Sequence, residues 1–279
     1  MSTHQAEVAA GQRFEFGENW RRFLAVLNED RLRQAETSLK TMLGVETLQG
    51  RRFLDVGSGS GLFSLAARRL DATVHSFDYD PQSVACTQEL KRRYFPEDQS
   101  WVIEEASVLD REYLNRLGQF DVVYSWGVLH HTGAMWQALD NVAPLVAGGG
   151  KLFIAIYNDQ GGWSRRWKIL KRAYNTLPSL LKLPYAVLVM GPRELKFLIL
   201  AALKGQLWIY FNNVIHYSER SMRGMSYWND LVDWVGGYPF EVAKPEVIFN
   251  FYRDRGFRLE QLKTCAGGHG CNEFVFNKD

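Results

Sequence analysis

The fold of this chain is decided by the stretch Arg52-Phe-Leu-Asp-Val-Gly-Ser-Gly-Ser-Gly61. Its first half is a short apolar run (Phe53, Leu54 and Val56) that predicts a buried strand. Glycines then stand at alternate positions, and apolar residues recur at helical spacing from Leu62 onward. A strand, a glycine turn and a helix form the start of a βα unit, whose turn can approach a ligand closely. Backbone N–H groups at the start of the helix favour an anionic group at this turn.

The spacing of these glycines distinguishes between classes of nucleotide-binding turn. A dinucleotide fingerprint, G-x-G-x-x-G or -A, would need glycine or alanine where Leu62 stands. A P-loop would need Gly-Lys-Ser/Thr, which does not follow the turn. The pattern is Asp-x-Gly-x-Gly-x-Gly, which runs from Asp55 to Gly61 and has an acidic residue within the strand end. The turn therefore predicts a small-ligand site of another kind.

Strands and helices continue to alternate along the chain. A helix is predicted over Gln82–Arg93, because Pro81 suits a first helical position. The other predicted strands are Ala72–Phe77, Trp101–Glu105, Phe120–Ser125 and Lys151–Tyr157, followed near the end by the pair Phe257–Thr264 and Asn272–Asn277. This alternation predicts an α/β protein with a doubly wound, mainly parallel sheet.

An acidic residue follows the second predicted strand. Asp78 lies about 20 positions after Gly57, the offset at which a carboxylate meets ribose hydroxyls in nucleotide-binding βαβ units. A carboxylate suits this role because it can accept hydrogen bonds from both hydroxyls. The alternative is a helix N-cap, for which Asp80, directly before Pro81, is the better candidate. We therefore predict that Asp78 binds a ribose.

Together these residues resemble the class I family of S-adenosylmethionine (SAM)-dependent methyltransferases, and among them the small-molecule O-methyltransferases such as those of the ubiquinone pathway. The resemblance is carried by Leu54–Gly61, Asp78, Phe120–Val123 and Val128–His131. It implies a Rossmann-like, seven-stranded sheet that is mostly parallel with an antiparallel last strand. SAM is then the expected cofactor, S-adenosylhomocysteine (SAH) the product, and no metal is expected.

The resemblance also implies a cofactor role for each residue that matches the family's motifs. Asp55 would lie near the ammonium group of SAM, Asp78 would hold the ribose, and Tyr79 would lie beside the adenine. Trp126 would line the cofactor next to its sulfonium, although a core aromatic is a serious alternative. The full set is Asp55, Gly57, Ser58, Gly59, Gly61, Asp78, Tyr79, Ser107, Val108 and Trp126.

A pair of histidines, His130 and His131, follows the fourth predicted strand, where an acceptor should lie. Methyl transfer depends mainly on alignment of the acceptor, and a general base helps when the acceptor must lose a proton. An imidazole can accept that proton near neutral pH. We predict that one of the two acts as a base or orients the acceptor; the alternative is a structural histidine at the start of the next helix.

The chain divides into three predicted parts. Residues 1–45 form an N-terminal helical lid, residues 46–159 and 245–279 form the SAM-binding core, and residues 160–244 form a mostly helical insertion that caps the acceptor. In the lid, an aromatic cluster could cover a ligand or pack on the sheet; it comprises Phe14, Phe16 and Trp20.

Basic residues exceed acidic ones in the insertion, where apolar stretches lie between them. The acidic residues between Trp163 and Met225 are Glu194 and Glu219. The basic ones are Arg165, Arg166, Lys168, Lys171, Arg172, Lys182, Arg193, Lys196, Lys204, Arg220 and Arg223. Such a region can lie on an anionic membrane surface, admit a lipid-like substrate or bind an anionic acceptor. The alternative is a cap with a solvated basic face, and nucleic acid is unlikely because no RNA- or DNA-binding module is present.

The end of the insertion is rich in aromatic residues, which a small-molecule pocket requires. The predicted substrate-binding residues are Tyr227, Trp228, Asp230 and Tyr238, although each could instead pack the cap on the sheet. The segment Cys265–Cys271 lacks zinc-ligand spacing and is predicted to be a structural hairpin turn.

Composition limits the class of protein further. The chain has 279 residues, a net charge of +2 and 46% hydrophobic residues, which are ordinary values for a globular protein. Three cysteines and no signal peptide predict a cytoplasmic protein, possibly peripheral at a membrane. We predict a SAM-dependent methyltransferase that acts on a small or lipid-like acceptor at oxygen. The alternatives are methylation of nitrogen or of an RNA base, or a non-catalytic SAM-binding regulatory domain.

Overall fold

A computed structural model describes residues 3–25, 27–217 and 227–279. Within these residues, seven strands form one sheet in the order β3-β2-β1-β4-β5-β7-β6. The strands are β1 (Arg52–Val56), β2 (Thr73–Asp78), β3 (Trp101–Glu105), β4 (Phe120–Trp126), β5 (Val146–Tyr157), β6 (Phe257–Lys263) and β7 (Cys271–Lys278). The first five are parallel, and β7 runs antiparallel to both of its neighbours. The predicted Rossmann-like fold is confirmed.

Helices cover both faces of this sheet and form the segment between β5 and β6. The N-terminal ones are α1 (Thr3–Ala9), α2 (Gly17–Leu24) and α3 (Glu29–Leu43). Those between strands are α4 (Leu62–Arg69), α5 (Pro81–Tyr94), α6 (Arg111–Leu117) and α7 (Met135–Val142). Those after β5 are α8 (Gly162–Thr176), α9 (Ser179–Leu203), α10 (Leu207–Ile215), α11 (Tyr227–Gly236) and α12 (Pro245–Arg253). Among the described residues, no helix is both long and apolar enough to cross a membrane.

The strand before the glycine turn is buried on both faces, as a parallel central strand requires. Leu54 and Val56 pack into the core on one face of the sheet, and Phe53 packs into the core on the other. Asp55 points to the same face as Phe53 because side chains alternate along a strand. A carboxyl group is thereby buried at the end of β1, next to the turn.

Local caps set the start of the helix that follows β2. The side chain of Asp80 accepts a hydrogen bond from the backbone N–H of Gln82, and Pro81 occupies the first turn. Asp80 is therefore the N-cap of α5, as its sequence position predicts. This arrangement leaves the carboxylate of Asp78 directed at the glycine turn.

The N-terminal segment connects the loop after β2 to the segment that follows α11. The backbone N–H of Gly17 donates to Asp80 Oδ2 over 2.8 Å, and the backbone N–H of Phe14 donates to the carbonyl of Tyr238 over 2.8 Å. Between these two points the chain crosses above the ends of the parallel strands. Trp20 reaches the glycine turn from above, since a Cβ on Gly59 would lie 3.2 Å from its ring.

Candidate active site

A cavity of about 890 Å³ opens at the carboxyl ends of the parallel strands. This is within the range of roughly 300–1,000 Å³ that ligand pockets span, and near its upper end. The predicted site residues on its wall are Asp55, Gly57, Ser58, Gly59, Asp78, Tyr79, Ser107, Val108, Trp126, His131, Tyr227 and Asp230. The structure thus brings together predicted cofactor residues and predicted acceptor residues in one cavity. The predicted residues that do not line it are Gly61, His130, Trp228 and Tyr238.

The glycine turn places backbone N–H groups next to the second strand. The N–H groups of Gly57 and Ser58 donate to the carbonyl of Phe77 over 2.8 and 3.1 Å. Gly57 has φ +79°, and a Cβ there would lie 2.3 Å from Cγ1 of Val128. Only glycine fits this position, because both the left-handed backbone and the close approach exclude a side chain.

Asp78 is held by the turn that it faces. Its Oδ2 accepts the backbone N–H of Gly59 over 2.8 Å, and its Oδ1 accepts the backbone N–H of Asp80 over 2.9 Å. Burial raises the pKa of Asp78 to about 6, although both backbone hydrogen bonds oppose this shift. Each carboxylate oxygen can accept a further hydrogen bond, so the group can still receive the two hydroxyls of a ribose.

Asp55 ends a chain of buried hydrogen bonds that crosses three strands. Trp101 Nε1–H donates to Ser76 Oγ over 2.9 Å, Ser76 donates to Ser64 Oγ over 2.8 Å, and Ser64 donates to Asp55 Oδ2. Burial raises the pKa of Asp55 to about 7, and the hydrogen bond from Ser64 lowers it in part. A cationic group in the cavity would stabilise the ionised form of this carboxyl.

Tyr79 lies between the turn and the N-terminal segment. The guanidinium of Arg13 is 5.0 Å from the centre of its ring, and its hydroxyl donates to Glu7 Oε1 over 3.2 Å. Arg13 also donates to the backbone carbonyl of His131 over 2.9 Å. Arg13 therefore links the cofactor side of the cavity to the histidine pair, a connection that the sequence analysis missed.

Other cavity residues were also missed, and they lie on the side of α3. Arg31, Gln34 and Ser38 form one helical stripe above the sheet, and all three line the cavity. Arg31 is buried, which lowers the pKa of its guanidinium. The helical spacing of Arg31, Gln34 and Ser38 could have indicated a stripe that faces a ligand. The same spacing is ordinary for a helix that packs on a sheet.

Tyr124 is a further residue that only the structure reveals. It pairs with Asp55 across β1 and β4, and it lines the cavity. Its hydroxyl is buried and has no hydrogen-bond partner among the described residues. Burial, with the charges of Asp55 and Glu273 nearby, raises its pKa well above the usual value. A buried hydroxyl of this kind is expected to bond to a ligand or to water.

The two histidines occupy different positions, which their sequence could not distinguish. His131 lines the cavity and lies 4.9 Å from the ring of Phe16, whereas His130 is fully buried behind it. Nδ1 of His131 is 2.6 Å from the carbonyl of Pro239 and must donate, because a carbonyl oxygen only accepts. The lone pair of the neutral ring is then on Nε2. Nδ1 of His130 instead accepts the backbone N–H of Tyr157 over 3.4 Å.

The predicted acceptor residues separate into two groups. Tyr227 and Asp230 line the cavity from α11, and Asp230 accepts the hydroxyl of Tyr217 over 2.7 Å. Trp228 is 40% exposed and lies outside the cavity wall. Tyr238 borders a second, smaller cavity of about 380 Å³. Neighbouring positions on one helix thus face different environments, which the aromatic content of this segment could not reveal.

Two remaining predictions concern Gly61 and a metal. Gly61 is the residue before α4, and a Cβ there would lie 2.8 Å from the backbone of Thr87, so this glycine permits close packing of α4 on α5. In the described ranges, no group of three or more His, Cys, Asp or Glu side chains could hold a metal ion. Cys265 lies in the turn between β6 and β7.

Comparison with protein families bears on this cavity directly. A family model described as a methyltransferase domain matches residues 54–152, which include the glycine turn, Asp78 and His131. This part of the chain is similar to methyltransferase domains. The predicted resemblance to class I SAM-dependent methyltransferases is therefore confirmed.

Relatives of the chain carry names from two groups of methyltransferase. It is 30% identical over 159 residues to a ubiquinone biosynthesis O-methyltransferase of Xanthomonas euvesicatoria pv. vesicatoria. The aligned region covers 56% of this chain and 62% of that protein. The chain is also 34% identical over 113 residues to a tRNA U34 carboxymethyltransferase of Alcanivorax borkumensis. This second aligned region covers 39% of this chain and 33% of that protein. The chain thus spans less than two thirds of the length of either relative.

Solved structures share the architecture of the methyltransferase domain. A magnesium protoporphyrin IX methyltransferase of Synechocystis PCC 6803, with bound SAH, matches with a TM-score of 0.54. The match covers 94% of each chain at 13% sequence identity. At this identity the likeness supports the fold, and the acceptor must be inferred from the cavity itself.

Proposed function

We propose that the chain is a SAM-dependent methyltransferase that transfers a methyl group to an oxygen of a small or lipid-like acceptor. The observation that supports this most is the common cavity of Asp78, the glycine turn and His131. Asp78 and His131 line this one cavity, so a carboxylate that can bind a ribose and a candidate base face the same opening. A protein that only bound SAM would not require a candidate base such as His131 at the cofactor cavity.

The cavity residues fit the parts of SAM one by one. Asp78 would accept the ribose hydroxyls, and Ser107 and Val108, which line the same cavity, would contact the edge of the adenine. At the methionine end, Asp55 and the hydroxyl of Tyr124 supply acceptors for an ammonium group, and Arg31 supplies a cation for the carboxylate. These charges are complementary to an amino acid, whereas a phosphate would be repelled by the two carboxylates.

The reaction needs little chemistry from the protein. SAM, when bound, supplies a sulfonium methyl group that passes to the acceptor oxygen while the carbon–sulfur bond breaks and sulfur keeps the electron pair. Nε2 of His131 accepts the proton that the acceptor hydroxyl loses, because Nδ1 is committed to the carbonyl of Pro239. Phe16 and Tyr157 pack against the imidazole and restrict its orientation.

The acceptor side of the cavity has aromatic walls with a few charged groups. Trp167, Trp234 and His269 form a cluster with ring centres 5.6–6.2 Å apart, and all three line the cavity. Aromatic walls favour a planar or extended apolar acceptor, and Asp230 can orient its polar end. We infer that the helices between β5 and β6 determine which acceptor is used.

The test is release of SAH from SAM in the presence of phenols, sugars, carboxylic acids and prenylated quinols. The proposal expects SAH to appear only with an accepted compound, together with its O-methylated product. Amines and unmodified tRNA complete the set of acceptors, because nitrogen or RNA-base methylation would release SAH with one of these and not with the oxygen compounds. A folded protein that binds SAH but turns over none of these classes would instead support a non-catalytic SAM-binding domain.

A further inference from the structure

The helical hairpin of α9 and α10 exposes an unusual amount of apolar surface. Leu188 and Leu203 of α9 are 73% and 79% exposed, and Trp208 and Ile215 of α10 are 79% and 70% exposed. Leu195 lies between the first two at helical spacing, and it is exposed as well. Contiguous exposed apolar patches on a soluble protein mark interaction surfaces, whereas single exposed residues do not.

Within residues 3–25, 27–217 and 227–279, one side of this hairpin packs against the rest of the protein. Ala186 and Met190 of α9 are buried against α8 and α11, in a cluster with Tyr174 and Val235. Farther along α9, Glu194 accepts the hydroxyl of Tyr210 over 3.4 Å, which ties α10 to α9. The apolar residues on the outer side therefore belong to a defined helical face.

The charges of the hairpin have one predominant sign. Over residues 179–215 the basic residues are Lys182, Arg193, Lys196 and Lys204, and the acidic residue is Glu194. Glu194 points inward, where it accepts hydroxyl hydrogen bonds from tyrosines of α10 and α11. The outer face is thus apolar with a basic border, a pattern complementary to anionic lipid headgroups above an acyl layer.

We propose that the outer face of the α9–α10 hairpin docks on an anionic phospholipid surface. Apolar side chains such as Trp208 enter the boundary between headgroups and acyl chains, and Lys196 and Lys204 contact the headgroups. A second copy of the chain is the less suitable occupant, because a symmetric contact would place the same basic residues opposite each other. In this proposal the hairpin lies on the surface of the bilayer and does not cross the bilayer.

The docked orientation bears on the acceptor. Arg193 and Phe197 of α9 line the large cavity, and the Arg193 guanidinium is 5.4 Å from the centre of the Phe197 ring. One helix therefore forms part of the cavity wall and of the docking face. This step rests on the proposed function: a lipid-like acceptor would enter the cavity directly from the membrane surface.

The test is flotation of the purified full chain with vesicles of phosphatidylcholine, with and without phosphatidylglycerol. We expect binding to the mixed vesicles and little binding to phosphatidylcholine alone. Trp208→Ser is expected to weaken binding about tenfold, since it removes a large apolar side chain. Lys196→Glu and Lys204→Glu should each weaken it about fivefold or more, with high salt acting in the same direction.

Matched variants separate docking from general effects. Trp136→Ser changes an exposed tryptophan on α7, and Lys244→Glu reverses a charge before α12; both should float like the wild type. The docking proposal is overturned if mixed vesicles do not recruit the wild type, or if Trp208→Ser abolishes a dimer without changing flotation. SAH binding, measured on the same preparation without vesicles, tests the methyltransferase function separately, so the two proposals can fail independently.

Discussion

The two sides of the large cavity are built in different ways. On the cofactor side, the glycine turn bonds to a segment close to it in sequence: the backbone N–H of Gly59 donates to the carboxylate of Asp78, 19 positions apart. On the acceptor side they join distant segments: His131 contacts Pro239 108 positions away, and Arg13 contacts His131 118 positions away. The glycine turn and its contact with Asp78 are thus a local property of two βα units, whereas the acceptor side depends on the tertiary fold.

This difference indicates what each side can tolerate. A glycine turn that presents backbone N–H groups tolerates many different side chains around it. It does not tolerate a Cβ on the glycine that lies closest to another residue. The acceptor side uses side chains from the N-terminal segment, the β4 end and the helices after β5. Its composition can therefore change without loss of the cofactor site, so substitutions on the two sides should have separable effects.

The largest effect is expected at Gly57. Gly57→Ala places a Cβ 2.3 Å from the side chain of Val128 on a backbone with φ +79°, so the turn must move. We expect SAH affinity to fall about 100-fold by calorimetry, from combined overpacking and backbone strain. Gly50→Ala is the matched control, because Gly50 has φ +73° and open space around it. Equal affinities for the two variants would show that the close approach is unimportant.

On the acceptor side, His131 should affect turnover without affecting the cofactor. His131→Ala is expected to lower kcat roughly 100-fold with an accepted compound, the usual contribution of a general base, and to leave SAH affinity unchanged. His130→Ala should mainly lower the melting temperature, because His130 is fully buried and bonds to the backbone of Tyr157. Unchanged kcat in His131→Ala would remove this residue from the reaction.

A smaller effect, with a defined pH dependence, is expected at Asp78. Ribose hydroxyls favour the ionised carboxylate, so SAH affinity should increase as the pH rises through about 6, the pKa of Asp78. Asp78→Asn should weaken binding about tenfold at pH 7.5 and remove the rise near pH 6. A rise near pH 7 should remain, since the pKa of Asp55 is about 7. Asp110→Asn, an N-cap outside the cavity, should leave the affinity profile intact.

The smallest effect concerns Lys171, a buried lysine of α8. Burial lowers the pKa of Lys171 from 10.5 to about 7, so the unfolded chain binds more protons between these values. The free energy of unfolding should therefore rise as the pH increases from 7 toward 10. In Lys171→Met this contribution, about 2–3 kcal/mol over two pH units, should disappear from thermal melts. The exposed Lys168→Met should retain it, and SAH affinity should not change in either.

The positions of the glycine turn and of Asp78 at the end of β2 could be predicted from the sequence for the same reason. The glycine turn, Asp78 and the Asp80 cap are set by residues within short segments, whereas the order of the strands in the sheet is a property of the tertiary fold. Arg31 and Tyr124 could not be predicted, because a stripe on a helix and a tyrosine in a strand are equally consistent with core packing. The choice between His130 and His131 depends on the direction of one short turn, which only tertiary contacts with Pro239 and Tyr157 reveal.

Direct titration of SAH into the purified chain tests the central claim, that the cavity at the glycine turn is a SAM site. The account predicts saturable binding at one site per chain, with a dissociation constant in roughly the micromolar range. Gly50→Ala should bind like the wild type and Gly57→Ala far more weakly. Absence of saturable binding by a chain that melts cooperatively would contradict the account.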